Sequence, residues 1–83
     1  MFTVIEIVDL NTQLKYRAVI GCADMATELI TTIMLNMKDY FVVATYPCNY
    51  DEIPSRTKEE SEEVSNILNK VYAKLHNLKD WSC

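Results

Sequence analysis

The sequence predicts a two-layer α+β sandwich with the element order β-β-α-β-α. Its three-stranded antiparallel/mixed sheet runs in the order 2-1-3, with two helices on one face. Three observations carry that reading. Two short segments near the start are rich in β-branched residues and alternate in polarity, and they are separated by a turn of hairpin length. Two longer segments repeat their apolar residues at helical spacing. An apolar run of strand length lies between those helices. With 83 residues and 9.6 kDa, residues 1–83 make a single domain.

The first strand covers residues 3–9 (TVIEIVD) and the second residues 14–20 (LKYRAVI). Leu10, Asn11, Thr12 and Gln13 form the turn between them. Setting Asp9 opposite Leu14 fixes the register. Glu6 then faces Arg17, and Val4 faces Val19, on one side of the hairpin. Ile5 faces Ala18, and Ile7 faces Tyr16, on the other. An opposed acid–base pair with an apolar second face suits a half-buried hairpin. Gly21, the only glycine, marks the bend into a helix.

That helix covers residues 24–37, with Asp24 expected as its N-cap. Met25, Ala26, Leu29, Ile30, Ile33, Met34 and Met37 fill about half its circumference at roughly 100° per residue. The methionines read as core filler. Leu35 is stranded on the polar side. So wide an arc calls for contact with the second helix as well as the sheet.

The third strand covers residues 40–46 (YFVVATY). A loop from Pro47 to Pro54 follows. The second helix spans residues 57–79, opened by Thr57 and Glu60 at capping-box spacing. Its stripe is Val64, Leu68, Val71, Leu75 and Leu78, widened by Ile67 and Tyr72. Acids lead this helix and Lys70, Lys74 and Lys79 close it, matching the helix dipole. The crossover through the first helix makes strands two and three parallel, so strand three can lie antiparallel to strand one. The second helix, at about 33 Å, is longer than strands of about 23 Å. Its acidic first two turns are expected to overhang the sheet.

Charge is concentrated in one place. Residues 51–63 hold six acids and two bases, a net of −4, and the rest of the chain is neutral. That sign disfavours a nucleic-acid binder, which needs cations to displace counterions. No run approaches the roughly 20 apolar residues that span a bilayer, and no signal-peptide pattern is present. The expectation is a cytoplasmic chain without a membrane role. Cys22, Cys48 and Cys83 are too few and too scattered for a disulfide framework. One histidine, His76, and no Cys-x-x-Cys give no zinc pattern, and no cofactor motif occurs. Cys48 with His76 as a nucleophile–base pair would need two residues far apart in the fold to meet.

The residues available to a partner are Asp51, Glu52, Glu59, Glu60, Glu62 and Glu63, with Tyr46 and Tyr50 beside them in the loop. Carboxylates can occupy a basic surface where phosphates would go, and tyrosines anchor interfaces. These acids are expected on a projecting solvent face without a pocket. The reading is a non-enzymatic protein-binding regulator or inhibitor of a partner with a basic surface. Its size and lack of motifs also suit a phage or mobile-element protein. The alternative is a homodimer or other self-assembly, structural or binding a small ligand. It would form through the open sheet face at Val4, Val8 and Val19 or through an edge strand.

Overall fold

The computed structural model describes the backbone of residues 1–81 and the side chains of residues 1–77. The side chains of Leu78 and Lys79, and all of Cys83, lie outside the described residues. Strands β1 (Phe2–Asp9), β2 (Leu14–Ile20) and β3 (Tyr40–Cys48) form an antiparallel sheet in the order β2-β1-β3. Helices α1 (Ala23–Asn36) and α2 (Lys58–Trp81) cover one face of it, and a 3-10 turn, η1 (Tyr50–Glu52), lies between β3 and α2.

The β1–β2 register pairs Glu6 with Arg17, Val4 with Val19, Ile5 with Ala18 and Ile7 with Tyr16, as the alternation predicts. The turn closes through Gln13 N donating to Asp9 O at 2.6 Å, with Gln13 in the left-handed region at φ 62. Asp9 Oδ1 accepts from Asn11 N at 2.9 Å, and Thr12 Oγ1 from Leu14 N at 3.3 Å. These short side-chain acceptors tie the turn and the first residue of β2 together locally. β3 pairs with β1 from Phe2–Cys48 to Asp9–Tyr40, with a bulge at Val43 where the register shifts between Glu6 and Ile7.

The core lies between the sheet and the helices. Ile5, Ile7, Leu29, Ile33 and Val71 are essentially inaccessible to water, with Ala18, Ala26, Val64 and Ile67 packed around them. Each large side chain of this set contributes about 1.5–3 kcal/mol by leaving water. α1 packs chiefly over β3 and β1, α2 over β2, and the helices touch each other. That shared contact accounts for the wide apolar arc of α1. Lys70 of α2 also donates to the Tyr40 hydroxyl at 3.1 Å.

Several local expectations are corrected. α1 begins one residue early, so its N-cap is Cys22 and not Asp24, and Cys22 makes no side-chain capping bond. Asp24 sits within the first turn instead, where its charge favours the dipole. Gly21 has no positive φ, and a Cβ there would meet the Phe2 ring at an ordinary 3.5 Å. Its bend does not demand glycine. Met25 and Met37 pack on the core, but Met34 is 61% exposed. Thr32, which the helical arc leaves out, is buried, its hydroxyl donating to Glu28 O at 2.8 Å. Thr57 Oγ1 accepts from Glu60 N at 3.1 Å, as its capping-box spacing predicts.

β3 runs two residues further than its apolar pattern suggests, to Cys48, so the loop shrinks to residues 49–57. This loop is a strap across the face of the sheet opposite the helices. It leaves β3 beside Phe2, where the Phe2 and Tyr50 rings stand 6.0 Å apart. It reaches the edge of β2, where Arg17 Nη2 donates to Ser55 O at 3.4 Å and Arg56 Nη1 donates to Arg17 O at 2.9 Å. Val4 lies on that face between Phe2 and Glu6, beneath the path of the strap. It is fully buried, although it points away from the helices and is not part of their core. Val4 is therefore not open to a second copy as its position in the alternation suggests. Val8 and Val19 are half-buried.

Candidate functional site

After rounding the edge of β2, the strap delivers Thr57 to the flank of that strand. The first two turns of α2 then lie beside Leu14, Lys15 and Tyr16. They do not overhang free of the sheet. Thr57, Glu59, Glu60, Glu62 and Glu63 form one wall of an open cleft of about 540 Å³, and Leu14, Lys15 and Tyr16 form the other. The acids thus line a concave surface, contrary to the expectation of a projecting face. Glu59, Glu62 and Glu63 are exposed and Glu60 is half-buried.

The electrostatics of the cleft are registered at Tyr16. Burial raises the pKa of its hydroxyl, and the negative charges of Glu63, Asp9 and Glu60, together with Tyr40, raise it further. Lys15 does not neutralise the wall opposite it. Its Nζ is held 3.2 Å from Glu6 Oε1, on the far face of the sheet. Among the described residues, no cation lies within ion-pair distance of Glu59, Glu60, Glu62 or Glu63.

Glu6 thus pairs in charge with Lys15 and not with Arg17, its neighbour in the register. Arg17 is drawn away to the strap. The Lys15 ammonium holds the Glu6 carboxyl below its usual range, aided by the Tyr46 hydroxyl. Glu6 in turn pushes the Tyr46 hydroxyl up. Tyr46 is a strand residue opposite Val4, 40% exposed, and not part of a loop tip.

Tyr50, Asp51 and Glu52 are brought together with each other but not with the four glutamates of α2. Tyr50 is 80% exposed and sits by Phe2, at the opposite end of β1 from the cleft. Ile7, the partner of Tyr16, is five residue steps along the strand from Phe2, a span of about 17 Å. The acidic segment is contiguous in sequence and divided in space by the strap. Asn49 Nδ2 donates to Glu52 Oε1 at 2.6 Å and fixes the 3-10 turn.

Leu14, Lys15 and Tyr16 are the cleft residues that sequence reasoning missed. Their only signal was the hairpin register, which placed them at the free end of β2. Finding the cleft also required the path of the strap. Cys48 is buried on the strap side of the sheet, with Sγ 3.2 Å from Asn49 O. His76 is on α2, lining a hollow of about 170 Å³ with Met25, Tyr72 and Leu75. The sheet separates the two, as their distance in sequence suggested. Among the described residues, no group of three or more His, Cys, Asp or Glu side chains is placed to hold a metal ion. No described helix is long and apolar enough to cross a membrane. No family model matches this chain, and no curated protein or solved structure matches it either.

Proposed function

We propose that this chain acts by binding another protein, without catalysis, as a small regulator or inhibitor that takes a basic surface into the cleft at the start of α2. The observation that carries the proposal is the cleft itself. Four glutamates without described cationic partners face the Tyr16 side chain across it. An arginine or lysine entering there meets carboxylates for its charge and an aromatic ring for its stem or guanidinium plane. Such a wall also steers a basic partner from a distance. The same charge repels nucleic acid, so a nucleic-acid target is disfavoured. Tyr50, Asp51 and Glu52 join the contact only if the partner spans the strap. A cytoplasmic setting suits the free thiols of Cys22 and Cys48.

The test is capture of partners from host lysate on the immobilised chain, beside a variant carrying Glu59→Gln, Glu60→Gln, Glu62→Gln and Glu63→Gln. Glutamine keeps the size and helix propensity, so circular dichroism should be unchanged. The proposal expects a specific partner that is retained by the native chain, lost by the variant and released by moderate salt. A partner held equally by both proteins removes the cleft as its site.

A further inference from the structure

The strap of residues 49–57 is tied down at its two ends and by little between them. At one end the Phe2 and Tyr50 rings stand 6.0 Å apart. At the other, Arg17 Nη2 donates to Ser55 O and Arg56 Nη1 donates to Arg17 O. Before Thr57, its backbone–backbone bonds among the described residues are Glu52 N to Asn49 O at 3.0 Å and Ile53 N to Tyr50 O at 3.5 Å, both inside the 3-10 turn. No described backbone bond joins the strap to the sheet. None of its side chains is fully buried: Ile53, Pro54 and Arg56 are half-buried and the others are exposed. None belongs to the core between sheet and helices. The residues it shields are drier than the strap itself, with Val4 at 0% and Cys48 at 7% exposure. A segment with so few buried contacts opens at a lower free energy than the core.

The outer tie also sets the cleft. Arg17 follows Tyr16 in β2 and Arg56 precedes Thr57, and Tyr16 and Thr57 stand on opposite walls of the cleft. A single 2.9 Å bond therefore joins the neighbours of the two walls. Thr57 opens α2 as well: its Oγ1 accepts from Glu60 N at 3.1 Å and its carbonyl from Ser61 N at 3.0 Å. Release of Arg56 frees the residue that fixes this first turn against β2.

We propose that the strap is a latch. It opens as a local unit while the core between sheet and helices stays folded, and the cleft is assembled only while Arg56 holds the Arg17 carbonyl. Opening uncovers Val4 and Cys48 and parts Thr57 and the first turn of α2 from Tyr16. The device follows from the two ties and the position of Thr57, whatever enters the cleft. A further consequence rests on the proposed function: a basic partner that needs both walls binds the latched form and holds the strap shut, by linkage.

Thiol labelling of Cys48 and amide exchange test this on the full chain with Cys22 and Cys83 replaced by serine. Where reclosing is fast, the labelling rate reports the population of the open form. Cys48 should open at a lower free energy than the amides of Ile5 and Ile33, with a weaker urea dependence than global unfolding. Arg56→Ala should speed labelling roughly tenfold or more, as expected for loss of a hydrogen bond from a charged group. The amides of Glu60 and Ser61 should exchange faster by the same factor. Arg17→Ala removes only the weaker bond to Ser55 and should give a smaller increase. Ile33→Val weakens the core but touches neither tie, so it should leave Cys48 labelling unchanged. Labelling that runs only through global unfolding, or that Ile33→Val speeds as much as Arg56→Ala does, overturns the inference. So do Glu60 and Ser61 amides that ignore Arg56→Ala while Cys48 responds. A captured basic partner that fails to slow labelling counts against the cleft as its site and leaves the latch standing.

Discussion

Arg56 donates from Nη1 to the Arg17 carbonyl oxygen at 2.9 Å, and this bond joins the strap to the outer edge of β2. Arg17 returns a weaker bond to Ser55 O at 3.4 Å. Together they hold the strap over Val4 and set where α2 begins. Replacing Arg56 with Ala should lower unfolding free energy by about 1.5–3 kcal/mol, the range for a hydrogen bond that involves a charged group. Cys48, buried at the start of the strap, supplies a local readout. In a background where Cys22 and Cys83 are serine, Arg56→Ala should speed labelling of Cys48 more than global unfolding alone explains.

A second prediction concerns the start of α1. Cys22 occupies the N-cap with extended backbone angles, φ −112 and ψ 122, but makes no side-chain capping bond. An oxygen at that position can accept from a free amide of the first turn. Cys22→Asp or Cys22→Ser should raise stability by about 0.5–2 kcal/mol. Thermal and urea unfolding of either variant would show it.

The hairpin turn holds a smaller reserve. Gln13 is at φ 62, a region that a residue with a Cβ enters only at a cost of about 1–2 kcal/mol. Glycine enters it freely, though it loses more chain entropy on folding. Gln13→Gly should therefore stabilise the protein by about 0.5–1 kcal/mol in urea unfolding. Gln13→Val should destabilise it.

The acid limb of the stability profile should report Glu6. Lys15 and then Tyr46 hold its carboxyl below the ordinary value of 4.5. A depressed carboxyl pKa stabilises the fold above that ordinary value, and the contribution disappears as pH falls through the lower folded value. Glu6→Gln should thus be less stable than the native chain at neutral pH, and the gap should narrow in acid. Urea midpoints compared at pH 7 and pH 3 give the answer.

Much of the fold was legible because its information is local. The alternation in residues 3–9 and 14–20 set the β1–β2 register, since a slip of one residue would have moved Ile5 and Ile7 out of the core. The stripe of α2 was legible for the same reason. Its fully buried centre proved to be Val64, Ile67 and Val71, with Leu68 and Tyr72 at the margin. The strap was not legible. Pro47 and Pro54 read as loop punctuation, and nothing local told that Arg56 would reach back to Arg17. Three consequences stayed hidden with it: the burial of Val4, the division of the acidic segment, and the cleft at Leu14, Lys15 and Tyr16. The identity of Cys22 as the N-cap was hidden differently, because Asp24 is the better capping residue by type and the backbone starts the helix without using it. The Glu6–Arg17 pairing was right in register but wrong in charge partner, because long side chains choose among diagonal neighbours that the register alone does not rank.

On the proposed function a basic partner enters the cleft at the start of α2, and Leu14 gives direct access to it. Leu14 is 55% exposed on the cleft wall, so a photo-crosslinking amino acid there leaves all four glutamates intact. The same group at Asn77, an exposed position far along α2, serves as the control. Irradiation with the captured partner should give a crosslink from position 14 and none from position 77, and mass spectrometry should place it beside lysine or arginine residues of the partner. Equal crosslinking from both positions, or a crosslink from position 14 to an acidic or wholly apolar segment, would contradict the claim.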